Sequence, residues 1–138
     1  MIDLVVARDL REAGLRWRPI SGDAFAIDRP DMQGELFTVS EMTIEPHEFD
    51  TGTILGFNGT TEWALDSLAL EDALWLPRED QLRELLGEAF RSLQRTGGGF
   101  RVEVDDPDAI GGIAAYQDAD AATAYGRALL VRIRSAVG

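Results

Sequence analysis

The chain has no cysteine and a single histidine, His47, so neither a disulfide nor a thiolate metal site can staple it. Whatever its 138 residues fold into is held by burial of apolar side chains. A chain of that length buries roughly two-thirds of the surface it exposes when unfolded. With 45% hydrophobic residues, one core of ordinary size is expected. Lysine is also absent, and all 13 basic residues are arginine. Schiff-base lysines, phosphate-loop lysines, thiolate nucleophiles and two-histidine metal sites within one chain are thereby excluded. Carboxylates, hydroxyls and one imidazole remain for chemistry.

Periodicity predicts an α+β fold in a single domain spanning residues 1–138, an antiparallel β-meander of about four to six strands packed by helices. Asp3 can cap a first helix running through Ala13, with Val6, Leu10 and Ala13 on one face, Gly14 ending it and Leu15 folding back. Leu15 and Trp17 alternate with arginines as a short extended piece closed by Pro19, and Phe25 and Ile27 start a strand. Residues 28–34 read as a polar connection. Leu36 to Glu45 is extended, and Pro46 interrupts it. Asn58-Gly59 predicts a two-residue hairpin with Phe57 facing Thr60, Leu55 facing Glu62 and Ile54 facing Trp63. Leu68 to Trp75 reads either as a helical turn or, the favoured reading, as a bend leading into a short strand at Ala73 to Leu76.

The clearest helical stripe follows Pro77, with Leu82, Leu85, Leu86, Ala89, Phe90 and Leu93 on one face. It predicts one helix with Glu79 and Asp80 at its start, Arg91 and Arg95 at its end, and the glycines at 97–99 as a helix-to-strand turn. Phe100, Val102 and Val104 alternate as a strand, Ile113 to Tyr116 is a last strand, and a helix runs from Asp118 or Asp120 to about Arg134. Tyr125, Leu129 and Ile133 are expected on its inner face. No linker divides the chain, and no internal repeat occurs.

The net charge of −12 is uneven. Residues 23–72 hold 12 acids and one base, Arg29, a local −11. Such a block suits a basic or cationic partner and opposes nucleic-acid phosphates. No uncharged run approaches the ~18 residues of a membrane span. The apolar stretch Leu4 to Ala7, flanked by Asp3 and Arg8, is no secretory signal, so a soluble cytoplasmic protein is expected.

Two places could carry chemistry. Glu45-Pro46-His47-Glu48-Phe49-Asp50 joins the imidazole to three carboxylates in an expected turn, a donor set for a hard divalent cation or for acid–base work by His47. The hairpin tip, with Asn58, Thr60, Thr61 and Glu62, presents amide, hydroxyl and carboxylate groups to a ligand. The glycines at 97–99 follow an expected helix and lack a nearby lysine, so they do not form a phosphate loop. No Gly-x-Ser-x-Gly elbow surrounds any serine.

Three stretches carry a resemblance: Gly14-Leu15-Arg16-Trp17-Arg18-Pro19 with Gly22-Asp23 and Phe25; Gly56 to Ser67; and Leu74 to Leu82. The chain resembles a family of small uncharacterised actinobacterial proteins, some of which carry a pilus-assembly protein label. The resemblance implies an actinobacterial origin, which suits arginine in place of lysine. A pilus-assembly ATPase of the septum-site-determining type would need a phosphate-binding loop, and this sequence has none. The reading that follows is a non-catalytic acidic protein-binding module, an adaptor or inhibitor of a basic partner, with no cofactor and no nucleic acid or membrane partner. Its rival is a metal-assisted enzyme acting on a small substrate through Glu45, His47, Glu48 and Asp50. Neither oligomeric state nor partner identity is encoded legibly.

Overall fold

A computed structural model describes residues 1–28, 36–39, 44–49, 52–57, 67–69 and 72–137, with residues 44–49, 52–57, 67–69 and 137 described by their backbone. The fold is α+β. In chain order the elements are α1 (Leu4–Glu12), β1 (Ala24–Ile27), β2 (Leu36–Thr38), β3 (Ile44–Phe49), β4 (Gly52–Phe57), β5 (Ser67–Ala69), β6 (Ala73–Leu76), α2 (Glu79–Leu86), β7 (Phe90–Thr96), β8 (Gly99–Asp105), β9 (Ile113–Asp118) and α3 (Ala121–Val137). The strands form three antiparallel three-stranded sheets, ordered β2-β1-β6, β3-β4-β5 and β7-β8-β9. The chain divides into two compact units, one of residues 1–16 and 77–138 and the other of residues 17–76. Among the described residues no helix is long and apolar enough to cross a membrane.

In the first unit, α1 begins as its sequence predicts. Asp3 Oδ1 accepts hydrogen bonds from the N–H groups of Val5 (2.8 Å) and Val6 (3.3 Å). The helix closes on a Schellman motif, in which Leu15 N–H donates to Leu10 C=O and Gly14 N–H to Arg11 C=O, with Gly14 at φ 114°. Helix α3 packs against α1, α2, β8 and β9. Its first turns are therefore buried nearly all round, from Ala121 to Gly126 and again from Ala128 to Leu130. Small residues permit this. A Cβ on Gly126 would lie 2.9 Å from both Ile2 Cδ1 and Val6 Cγ1, so the missing side chain is what lets the N-terminal segment approach α3.

The long helix expected after Pro77 is corrected by the structure. Helix α2 ends at Leu86, and residues 90–96, with Arg91 and Arg95, form β7 instead of the last helical turns. Gly87 adopts φ 59°, a left-handed conformation that stops the helix and that other residues adopt at a cost. Beyond a single 3-10 turn, β7 pairs with β8 from Phe90↔Val104 to Thr96↔Gly99, with a bulge between Phe90 and Ser92. Gly97 and Gly98 are then a two-residue β-hairpin loop, not a helix-to-strand turn. Of the expected stripe, Leu82, Leu86 and Ala89 are buried, whereas Leu85 and Leu93 remain 45% and 37% exposed.

The second unit has an aromatic core. Trp17, Phe25, Ile27, Val39 and Ala73 pack together with the partly buried Phe37 and Trp75. The rings of Trp17 and Phe25 lie 5.2 Å apart, and those of Phe25 and Phe37 5.5 Å. Asp23 is fully buried beside them. Its Oδ2 accepts from Trp17 Nε1 at 2.9 Å and from Ile20 N–H at 3.1 Å, which satisfies a carboxylate where solvent cannot. The strand expected at Leu15 to Trp17 does not form; the buried Trp17 instead anchors an irregular segment onto this core.

Two sequence expectations in this unit are also corrected. Pro46 does not break the extended run but lies inside β3, opposite Leu55. Strand β4 pairs with residues 67–69, as Gly56↔Ser67, Leu55↔Leu68 and Ile54↔Ala69, so the hairpin register expected from Asn58-Gly59 is not the one adopted. The observed register sets Leu55 opposite Leu68, where the expected one set it opposite Glu62.

Candidate functional site

The first place singled out in the sequence is strand where it is described, and the second lies outside the described residues. Glu45, His47 and Glu48 lie in β3, opposite Gly56, Ile54 and Thr53, rather than in a turn. Neighbouring residues of a strand belong to opposite faces, so Glu45 and His47 share one face of β3 and Glu48 belongs to the other. Asp50 lies outside the described residues, as do Asn58, Thr60, Thr61 and Glu62. Among the side chains that are described, no group of three or more histidines, aspartates or glutamates is placed to hold a metal ion.

The structure presents a different candidate in the unit formed by residues 1–16 and 77–138. A groove of about 660 Å³ runs between α1, α3 and β9. Val5, Val6, Leu130 and Val131 supply its apolar lining, and Asp3, Asp9, Asp118, Asp120 and Arg127 its charged lining. Sequence reasoning placed Asp3 and Asp118 or Asp120 as helix starts but not as neighbours, because only the packing of α1 on α3 brings them together across the length of the chain.

Most of these carboxylates are engaged within the fold. Asp120 caps α3, its Oδ2 accepting from Thr123 N–H and Thr123 Oγ1, both at 2.9 Å, while its Oδ1 accepts from the Met1 amine at 2.9 Å. Burial alone would push the Asp120 carboxyl up; the amine and the two Thr123 donors outweigh it and hold the carboxyl below its ordinary range. Thr123 Oγ1 also accepts from Asp3 N–H at 2.9 Å, which ties the start of α1 to the start of α3. Asp118 Oδ2 accepts from Asp120 N–H, and its Oδ1 lies 3.6 Å from Arg127. Asp9 differs: among the described residues its carboxylate has neither a hydrogen bond nor an ion pair.

A smaller groove of about 380 Å³ adjoins the first, sharing Tyr116 and Val131 with it and adding Asp105, Asp106, Asp108 and Arg132. Burial raises the Tyr116 phenol, and the negative charge of Asp106 raises it further. Asp105 is paired with Arg91 at 2.9 Å, and Asp106 Oδ1 accepts from Asp108 N–H. These surfaces combine carboxylates, arginines and apolar strips. Comparison with family models, curated proteins and solved structures finds no match to the chain in any of the three.

Proposed function

We propose that the chain is a cytoplasmic, non-catalytic binding module whose acidic unit, residues 17–76, takes up a basic protein partner as an adaptor or inhibitor would. The observation that carries this reading is charge segregation. Residues 17–76 hold 12 acids against Arg18 and Arg29, a net −10, whereas the other unit holds 13 acids against 11 arginines, a net −2. A field of one sign on one unit raises the encounter rate with a basic surface and repels phosphates. The resemblance to small actinobacterial proteins directs the choice of lysate. The rival reading, a metal-assisted enzyme built on Glu45, His47, Glu48 and Asp50, is supported by the strand face that Glu45 and His47 share.

The test is capture from an actinobacterial lysate at low and high salt, followed by titration of the purified captured protein. A basic partner that is held at low salt and released as the screening length falls below ~8 Å supports the reading. Its affinity should drop at least tenfold for the variant combining Glu41→Gln, Glu45→Gln, Glu48→Gln and Glu62→Gln. Capture of nothing at low salt, or undiminished binding by the neutralised variant, defeats it.

A further inference from the structure

The two edges of the β7-β8-β9 sheet are unlike each other. Edge strands present unpaired N–H and C=O groups, and proteins ordinarily guard them with charges or bulges. Strand β7 has both devices, Arg91 and Arg95 in its sequence and a bulge between Phe90 and Ser92. Strand β9, Ile113-Ala114-Ala115-Tyr116-Gln117-Asp118, has no proline, no bulge against β8 and no charge before its last residue. Among the described residues, none of its backbone groups bonds to anything beyond β8. The unguarded edge is also the one that borders the larger groove, since Tyr116 and Asp118, two residues apart and hence on one face of β9, both line it.

We propose that β9 is a docking edge for an extended segment of a basic partner, which adds to the sheet as a fourth strand. Backbone hydrogen bonds to β9 supply the affinity, and alternate side chains supply the specificity. Side chains on the face shared with Tyr116 and Asp118 reach the apolar lining made by Val5, Val6, Leu130 and Val131. A strand in that position carries apolar residues at every second place and an arginine or lysine where it passes Asp9, the lining carboxylate without a partner among the described residues. This site lies outside residues 17–76 and does not depend on the acidic unit.

The probe is a fluorescein-labelled, C-terminally amidated octapeptide, Val-Thr-Val-Thr-Val-Thr-Arg-Thr, titrated into the full chain and followed by fluorescence anisotropy and by amide hydrogen exchange. Saturable binding should slow exchange at least tenfold at alternate amides of residues 113–118. Asp9→Asn should weaken binding at least threefold with an unchanged melting temperature. A control peptide of the same charge, with proline at its third and fifth positions, should not bind. Absence of saturable binding, equal binding of the proline peptide, or slowed exchange confined to residues 17–76 each overturns the proposal. Protection of β9 that grows with protein concentration in the absence of peptide overturns it too, since the occupant is then a second copy of this chain.

Discussion

Residues 17–76 and the unit formed by residues 1–16 and 77–138 meet the same requirement, burial of apolar surface, the first with strands β1 to β6 and the second with helices and strands. The first is organised around Trp17, Phe25, Phe37 and Trp75 and a buried carboxylate, Asp23. The second is organised around an alanine- and leucine-rich helix and has near balance of charge, with ion pairs such as Arg91–Asp105 and Arg101–Glu103 across or along its sheet. An acid excess is therefore no necessity of folding in this chain, since one unit does without it. The difference also separates two kinds of fragility, one seated in a polar node and the other in apolar packing.

The largest effect is expected in the apolar unit. Leu86 is 2% exposed, and Leu86→Asp both removes a packed side chain and buries a charge. A loss above about 4 kcal/mol is expected, against a total of about 5–15 kcal/mol for a native domain. Circular dichroism should then show no cooperative melting; a sharp transition near the parent temperature would refute the role given to α2.

Asp23→Ala strands the indole N–H of Trp17 and the N–H of Ile20 in a buried site, at a cost of about 2–4 kcal/mol. The comparison sharpens if hydrogen exchange rises in β1, β2 and β6 while β8 and α3 keep their protection. Equal acceleration everywhere would show that the two units unfold as one.

Asp120→Ala should cost about 1 kcal/mol through the lost cap of α3. Because the carboxyl is held below its ordinary range in the fold, its contribution is complete above that range and fades as pH falls through the folded value. Urea titrations between neutral and acid pH should show a shallower acid decline in the variant than in the parent.

The smallest effect belongs to Tyr125, whose buried hydroxyl lies near the Arg83 guanidinium but makes no hydrogen bond of good geometry among the described residues. Tyr125→Phe should be neutral or stabilising by up to about 1 kcal/mol. Burial pushes this phenol up, with the Arg83 guanidinium pulling against it. The fold therefore holds the proton more tightly than the unfolded chain does, and stability falls as pH rises past the ordinary tyrosine value. The variant should lose less stability there, as measured by denaturant midpoints at alkaline pH.

Legibility in the sequence followed the locality of the interaction. Asp3, Gly14 and the alternation in Phe100, Val102 and Val104 act within a few residues, and the elements they mark lie where periodicity put them. The leucine stripe misled because Leu82, Leu86 and Ala89 are buried whether or not the helix continues, and a positive φ at Gly87 is not visible in spacing. The β4–β5 register escaped because pairing with residues 67–69 competes with the local Asn-Gly signal. The α1–α3–β9 groove was illegible for the same reason, since no pattern announces that Val5 and Leu130 share a wall. The pairing of Trp17 with Asp23 needed a three-dimensional core to reveal it.

The tie between the two ends of the chain sets a timetable for synthesis. Asp3 N–H bonds Thr123 Oγ1 across 120 positions, with the whole of residues 17–76 made in between. At roughly 5–20 residues per second, α1 emerges on the order of 10 s before the helix it packs against. Residues 17–76 can close on themselves during that interval. Helix α1, made before residues 17–76, is thus seated after them, and Ile2 and Leu10 wait for the helix that covers them.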